Sequence, residues 1–284
     1  MRKNSTAILI YKMLPKSLIS RAFGYITRIP VPAFLLDPII RAYSGKFGVR
    51  DEYIRPAGGF RNFDEFFTRR LRDGVHAVEN GTFAVSPVDG RIDQSGEIRD
   101  AAIVQAKGID YLLTDLLPSD TSRSFAGGSF MTIYLSPGDY HRIHSPVTGT
   151  ITGWFNIPGA LFSVQESMVL GLPGLFVNNE RIVTYIETGA GLAAVCKVGA
   201  LNVGRISLSY YDLHTNRLFR RRKEFFFDGS DRVPVRAGDE LGIFHLGSTV
   251  ILLFQKGMVR LDAFNPGDRI RMGARIGALA GGKK

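Results

Sequence analysis

The sequence has a single cysteine, Cys196, so no disulfide can form within one chain, and the lone thiol fits a reducing compartment or a cytoplasmic face. Five histidines and one thiol are thin material for a structural metal site. His141 and His144 stand three apart, but no third ligand cluster sits at useful spacing, so no metal is expected. Long hydrophobic runs are missing too: nothing approaches the roughly 18–20 apolar residues of a membrane-spanning helix. A secretory leader is not expected, because Lys12 breaks a very short apolar run and no small-residue cleavage site follows. Acidic residues are scarce at the start, where nine basic side chains in residues 1–50 face one acid, Asp37. The net charge of +10 therefore belongs mainly to the N-terminal segment and not to the whole surface.

That basic segment is also apolar, with Ala7–Tyr11, Leu18-Ile19, Phe34-Leu35-Leu36 and Ile39-Ile40, and Pro15, Pro30, Pro32 and Pro38 cut it into short helices. Apolar faces with interspersed Lys and Arg suit helices lying in the headgroup region of an anionic bilayer. The plainer alternative is a basic helical cap packed on the core. Nucleic acid is not expected as a partner, because no aromatic stacking platform or binding signature accompanies the charge. A further helix is expected from Asn62 to Leu71, with Asn62 as N-cap and Glu65 three positions on.

After Gly74 the pattern changes to short β-branched runs separated by Pro/Gly turns, as in Phe130–Leu135, Arg181–Glu187, Leu192–Val198 and Thr249–Phe254. One helical insertion, Tyr111–Leu117, is expected among them. The whole reads as α+β: a compact β-rich body, sandwich or barrel-like, over residues 74–284, carrying a helical, membrane-facing N-terminal segment over 1–73. The basic run Arg217–Lys223 reads as a solvated loop.

Polar residues with useful chemistry fall in a few places. Ser86-Pro87-Val88-Asp89-Gly90 puts a carboxylate in a tight turn, and Tyr140-His141-Arg142-Ile143-His144 follows the turn Ser136–Asp139. Leu161-Phe162-Ser163-Val164 and Val198–Gly204 are small-residue stretches that let backbone approach a ligand, and Leu246-Gly247-Ser248-Thr249 leads into the apolar run Val250–Phe254. Singly, each has a dull explanation: Asp89 forms turns, either histidine is structural, and Ser248 is a turn residue. A hydrolase elbow is not matched, since Leu246 and Val250 stand where G-x-S-x-G needs glycines and a strand follows instead of a helix.

Taken together with Phe66–Leu71, Gln105–Gly108, Tyr134–Pro137, Asn179-Glu180-Arg181 and Gly238–Phe244, these residues resemble the bacterial, membrane-associated phosphatidylserine decarboxylases over nearly the whole chain. The resemblance implies a proenzyme in which Asp89, His144 and Ser248 form a charge relay. Ser248 attacks the Gly247 carbonyl, and the chain parts into a β chain, 1–247, and an α chain, 248–284. It further implies that Ser248 becomes a covalent pyruvoyl cofactor, which forms a Schiff base with the substrate amine and accepts electrons as CO₂ leaves. His141 or His144 then donates the proton, and the sequence does not separate the two roles. The expected partners are phosphatidylserine, an anionic membrane surface and, as a family trait alone, a second copy in a homodimer. The expected place is the cytoplasmic side of the cell membrane, held peripherally. The competing readings are a decarboxylase of a related phosphoserine lipid, a serine hydrolase using Asp89, His144 and Ser248, and a non-catalytic lipid-binding β domain.

Overall fold

In the computed structural model of the protein, residues 16–280 are described, apart from 80, 81, 100, 107, 108, 165, 202–204, 217–220 and 246. Parts of two motifs named above, Gln105–Gly108 and Val198–Gly204, and much of the basic run 217–223, therefore lie outside the described residues, as does Leu246.

Two short helices come first among the described residues, α1 (Lys16–Ile26) and α2 (Ala33–Phe47). Pro38 lies in the first turns of α2, and Gly48 ends that helix in the left-handed region at φ 64°. A third, α3 (Phe63–Phe67), starts where the sequence places it: Asn62 Oδ1 accepts from the Glu65 amide at 2.9 Å. The Glu65 carboxylate in turn accepts from the Arg61 amide. The helix is shorter than expected, because after Thr68 the chain extends so that Leu71 can bridge to Tyr53. These elements enclose a small aromatic core of Leu36, Ile40, Phe60 and Phe66.

The body is β-rich. One sheet holds nine strands: β2 (Gly90–Glu97), β5 (Ser129–Leu135), β7 (Gly149–Ile157), β8 (Arg181–Thr188), β9 (Gly191–Gly199), β11 (Lys223–Phe226), β12 (Val233–Val235), β14 (Ser248–Phe254) and β16 (Arg269–Ile270). Its order is β11-β7-β8-β9-β14-β5-β2-β16, with β12 also paired to β7. A second sheet joins β10 (Arg205–Leu208), β13 (Glu240–His245) and β6 (Arg142–His144), and a third joins β1 (Phe83–Val85), β17 (Arg275–Leu279) and β15 (Val259–Leu261). Among the described residues, β3 (Ala102–Ala106) and β4 (Ile109–Leu112) pair as a separate two-stranded sheet. Side chains from all three larger sheets, among them Ile133, Ile251, Phe244, Ile206 and Ile276, enter one hydrophobic core.

The barrel half of the expectation is corrected: the large sheet is open, because its end strands β11 and β16 are four and two residues long and do not pair with each other. The helical insertion is also shorter than expected. Only Leu113–Leu116 turns, while Tyr111 lies in β4.

The site depends on β14. All seven of its residues are buried, and it runs between β9 and β5 near the middle of the large sheet. Val-Ile-Leu-Leu-Phe without alternation is what a strand covered on both faces requires. Its predecessor β13 belongs to the second sheet, so the chain changes sheets across residues 246 and 247.

Candidate active site

Ser248 is the first residue of β14 and is fully buried, paired with Leu135 on one side and Gly199 on the other. Its Oγ has no hydrogen-bond partner. A buried hydroxyl left unpaired is costly, so an unexplained one marks a position to account for. Gly247 is half-buried, and a methyl group added to it would meet open space.

Both residues lie on the wall of a cavity of about 820 Å³. Its lining is mostly apolar: Phe23, Ile26 and Ile29 at the end of α1, Leu36, Ile39 and Phe47 of α2, Phe63 and Phe67 of α3, then Val164, Met168 and Ala200 of the body. Ser163 and Val164, from one of the small-residue stretches, thereby line the same cavity as Ser248. The cavity is roomy enough for part of a large apolar ligand. The sequence gives no direct signal for it, because its two halves come from well-separated segments, residues 23–67 and residues 134–248.

The pairing of Ser248 with Leu135 also sets the serine beside the turn that carries the histidines. The Phe244 amide donates to the His141 carbonyl at 2.9 Å, tying that turn to β13. The His141 ring is fully buried against Phe67, with ring centres 4.1 Å apart. His141 Nδ1 lies 2.8 Å from the Asp139 carbonyl, which can only accept, so Nδ1 carries the proton and Nε2 is left without a partner. Burial, reinforced by the Arg69 charge, pushes the His141 pKa down to about 3, and the ring is neutral at neutral pH.

His144 is arranged in the same way. Its Nδ1 is 2.7 Å from the Gly238 carbonyl, and its Nε2 accepts from the Tyr140 hydroxyl at 3.0 Å. Burial lowers its pKa although the Gly238 carbonyl opposes the shift, so this ring also holds a neutral tautomer with a basic Nε2. Asp89 stands in the neighbouring turn, whose Pro87 carbonyl accepts from the His144 amide. The turn must be tight: a methyl group on Gly90 would lie 2.6 Å from the Tyr134 carbonyl oxygen.

The carboxylate of Asp89 accepts from the Met272 amide at 2.9 Å and lies 2.9 Å from His76 Nε2, though off the line of a good hydrogen bond. Burial would raise the Asp89 pKa, but the His76 ring and the Met272 amide outweigh it and hold the carboxyl below its ordinary value. The structure thus gathers Asp89, His144 and His141 around the turns next to Ser248 without hydrogen-bonding Asp89 to His144 or either histidine to the serine. His76 and Tyr140 are the members that sequence spacing did not single out. Tyr140 sat in the quoted motif, whereas His76 is a lone histidine beyond Gly74 with nothing local to mark it.

The Phe66–Leu71 motif fastens this arrangement. Arg69 donates to the Gly138 carbonyl at 2.8 Å and the Asp139 carbonyl at 3.0 Å, and Arg142 donates to the Thr68 carbonyl and to Glu240. A buried guanidinium that satisfies several carbonyls makes a rigid brace for the histidine turn.

The family model of phosphatidylserine decarboxylase matches residues 63–278. The chain belongs to the phosphatidylserine decarboxylase family. It is 41% identical over 277 residues to the phosphatidylserine decarboxylase proenzyme of Anaeromyxobacter sp. (strain K), covering 95% of this chain and 96% of that protein. It is also 41% identical over 280 residues to the proenzyme of that name from Myxococcus xanthus, covering 97% and 99%. The corresponding protein of Alcanivorax borkumensis is 36% identical over 279 residues.

Proenzymes of the phosphatidylserine decarboxylase family are pyruvoyl-dependent. The residues at the head of β14 fit such a group. The Ser248 Oγ has no partner that would have to be displaced, Gly247 has free space beside it, and both face the cavity.

Proposed function

We propose that this chain cuts itself between Gly247 and Ser248 and then decarboxylates phosphatidylserine to phosphatidylethanolamine at the wall of the apolar cavity. The observation that carries the reading is the orphaned Ser248 Oγ on the wall of an apolar cavity, in a chain that aligns over almost its whole length with proenzymes named for that activity.

In this reading His144 is the base that takes the Ser248 proton. Its Nε2 lone pair is available once the Tyr140 hydroxyl gives way, because the Gly238 carbonyl keeps the proton on Nδ1. Asp89 completes the relay through its field, which favours the imidazolium formed as the proton arrives. When formed, the pyruvoyl group supplies the electron sink for the loss of CO₂. His141 is then the proton donor. It is neutral in the free protein, so it gives a proton only after the anionic headgroup has raised its affinity for one.

The segment 1–73 is read as the membrane-docking part and 74–284 as the catalytic part. Leu18, Tyr25, Ile26, Phe34, Leu35 and Ile39 of α1 and α2 are exposed, Phe34 by 76%, among Arg21, Arg28, Arg41 and Lys46. No described helix is long and apolar enough to cross a membrane. An exposed apolar face with basic neighbours, opening onto the cavity, supports peripheral docking on an anionic leaflet such as the cytoplasmic face of the cell membrane. The test is CO₂ release from phosphatidylserine vesicles by the purified protein. The wild type is expected to release it and Ser248→Ala to release none. Release by an uncut chain would overturn the reading.

A further inference from the structure

A second buried Asp–His–Ser array lies just upstream of the proposed cut. His245 ends β13, two positions before Gly247. Its Nδ1 is 2.9 Å from both carboxylate oxygens of Asp64, and its Nε2 is 3.2 Å from Ser207 Oγ. Asp64 belongs to α3, and its amide donates to the Thr27 carbonyl just past the end of α1 at 2.9 Å. Ser207 belongs to β10, in register with Ile243 of β13. One neutral imidazole satisfies both contacts, donating from Nδ1 to the carboxylate and accepting at Nε2 from the hydroxyl. His245 and Asp64 are both buried.

Attack by Ser248 requires the Gly247 carbonyl carbon to be held within roughly 3–3.5 Å of Oγ. The serine side is fixed, since β14 is hydrogen-bonded on both edges. The acyl side is not: Gly247 belongs to no strand, and a methyl group added to it would meet open space. Among the described residues before Gly247, His245 is the nearest in sequence, and its side chain is anchored by Asp64 and Ser207. We propose that Asp64, His245 and Ser207 are positioning residues that set the Gly247 carbonyl for attack, so that self-cleavage depends on α1 and α3 being seated against the body. The proposal rests on the reading of Gly247-Ser248 as the bond that is cut. A separate hydrolytic role is not favoured, because none of the three residues lines the apolar cavity.

The test follows the appearance of the β chain after cell-free synthesis of the full chain. Asp64→Leu and His245→Phe are expected to slow it by about tenfold or more, given that misplacement by about 1 Å costs on the order of a hundredfold. Asp64→Asn is expected to stay close to the wild-type rate, because its amide oxygen still accepts from Nδ1–H. Once cut, each variant is expected to release CO₂ per mole of pyruvoyl group at the wild-type rate. In a Ser248→Ala background the thermal midpoints of Asp64→Leu and Asp64→Asn are expected to agree, which separates positioning from unfolding. Wild-type cleavage in both Asp64→Leu and His245→Phe overturns the proposal, as does a turnover loss parallel to the cleavage loss. A fluorophosphonate adduct on Ser207 would overturn it in favour of hydrolysis. A wild-type chain left uncut at 247–248 sinks the underlying reading as well, which a failure of the clamp alone would not do.

Discussion

At the scale of single residues, the site is built from neutral histidines. Burial lowers His141 from the ordinary 6.5 to about 3, so between those values the unfolded chain binds a proton that the folded chain does not. Stability contributed by His141 is therefore complete above about pH 6.5 and falls as the pH drops below it, by roughly 1 kcal/mol per pH unit. Urea unfolding of a Ser248→Ala chain at pH 5 and 7 is expected to show this loss, and His141→Gln to reduce it. Asp89 leads to a second expectation. In a relay whose carboxylate fixes the histidine tautomer, replacing it with an amide costs about 10⁴-fold. Here the Gly238 carbonyl fixes the His144 tautomer, so Asp89→Asn is expected to slow self-cleavage by only about tenfold, read as the rate of β-chain formation. Ser248 and the paired histidines were legible in the sequence because family spacing marks them. His76 and the Asp64–His245 contact were not, because each joins residues whose meeting is decided by packing and not by local pattern.

At the scale of elements, β14 shows what periodicity can and cannot give. Its unbroken apolar run was expected to form a strand, and the structure places that strand between β9 and β5 with all seven residues buried. The change of sheet at residues 246–247 was not legible, since short strands such as β6 and β13 carry too few residues to show a period. Because β14 would hold the α chain in the body, truncating it should be severe: Ile251→Ala is expected to cost about 2–5 kcal/mol, measured by denaturant unfolding. The cavity is open to a complementary test. Val164→Phe narrows it from the body side and is expected to raise KM for long-chain phosphatidylserine while leaving the rate of self-cleavage unchanged.

At the scale of the whole molecule, charge and apolar exposure coincide. The excess of basic residues that the composition placed in the first fifty positions lies in the same segment as most of the large exposed apolar side chains. Phe34→Glu with Leu35→Glu is expected to reduce binding to anionic vesicles about tenfold or more, by sedimentation, and raised salt to weaken the wild type in the same direction. Intact binding by that variant would return the segment to the plainer role of a cap. The sequence changes texture at Gly74, and in the structure α1, α2 and α3 precede that residue while β1–β17 follow it. The open form of the sheet was not, since closure depends on which edge strands find partners.

The central claim is that Ser248 is a cofactor precursor and not a nucleophile that survives its reaction. Mass spectrometry of the purified, active protein tests it most directly. The account predicts a β chain ending at Gly247 and an α chain of residues 248–284 without a free amino terminus at its first position. A single intact chain of 284 residues that still releases CO₂ from phosphatidylserine would contradict it.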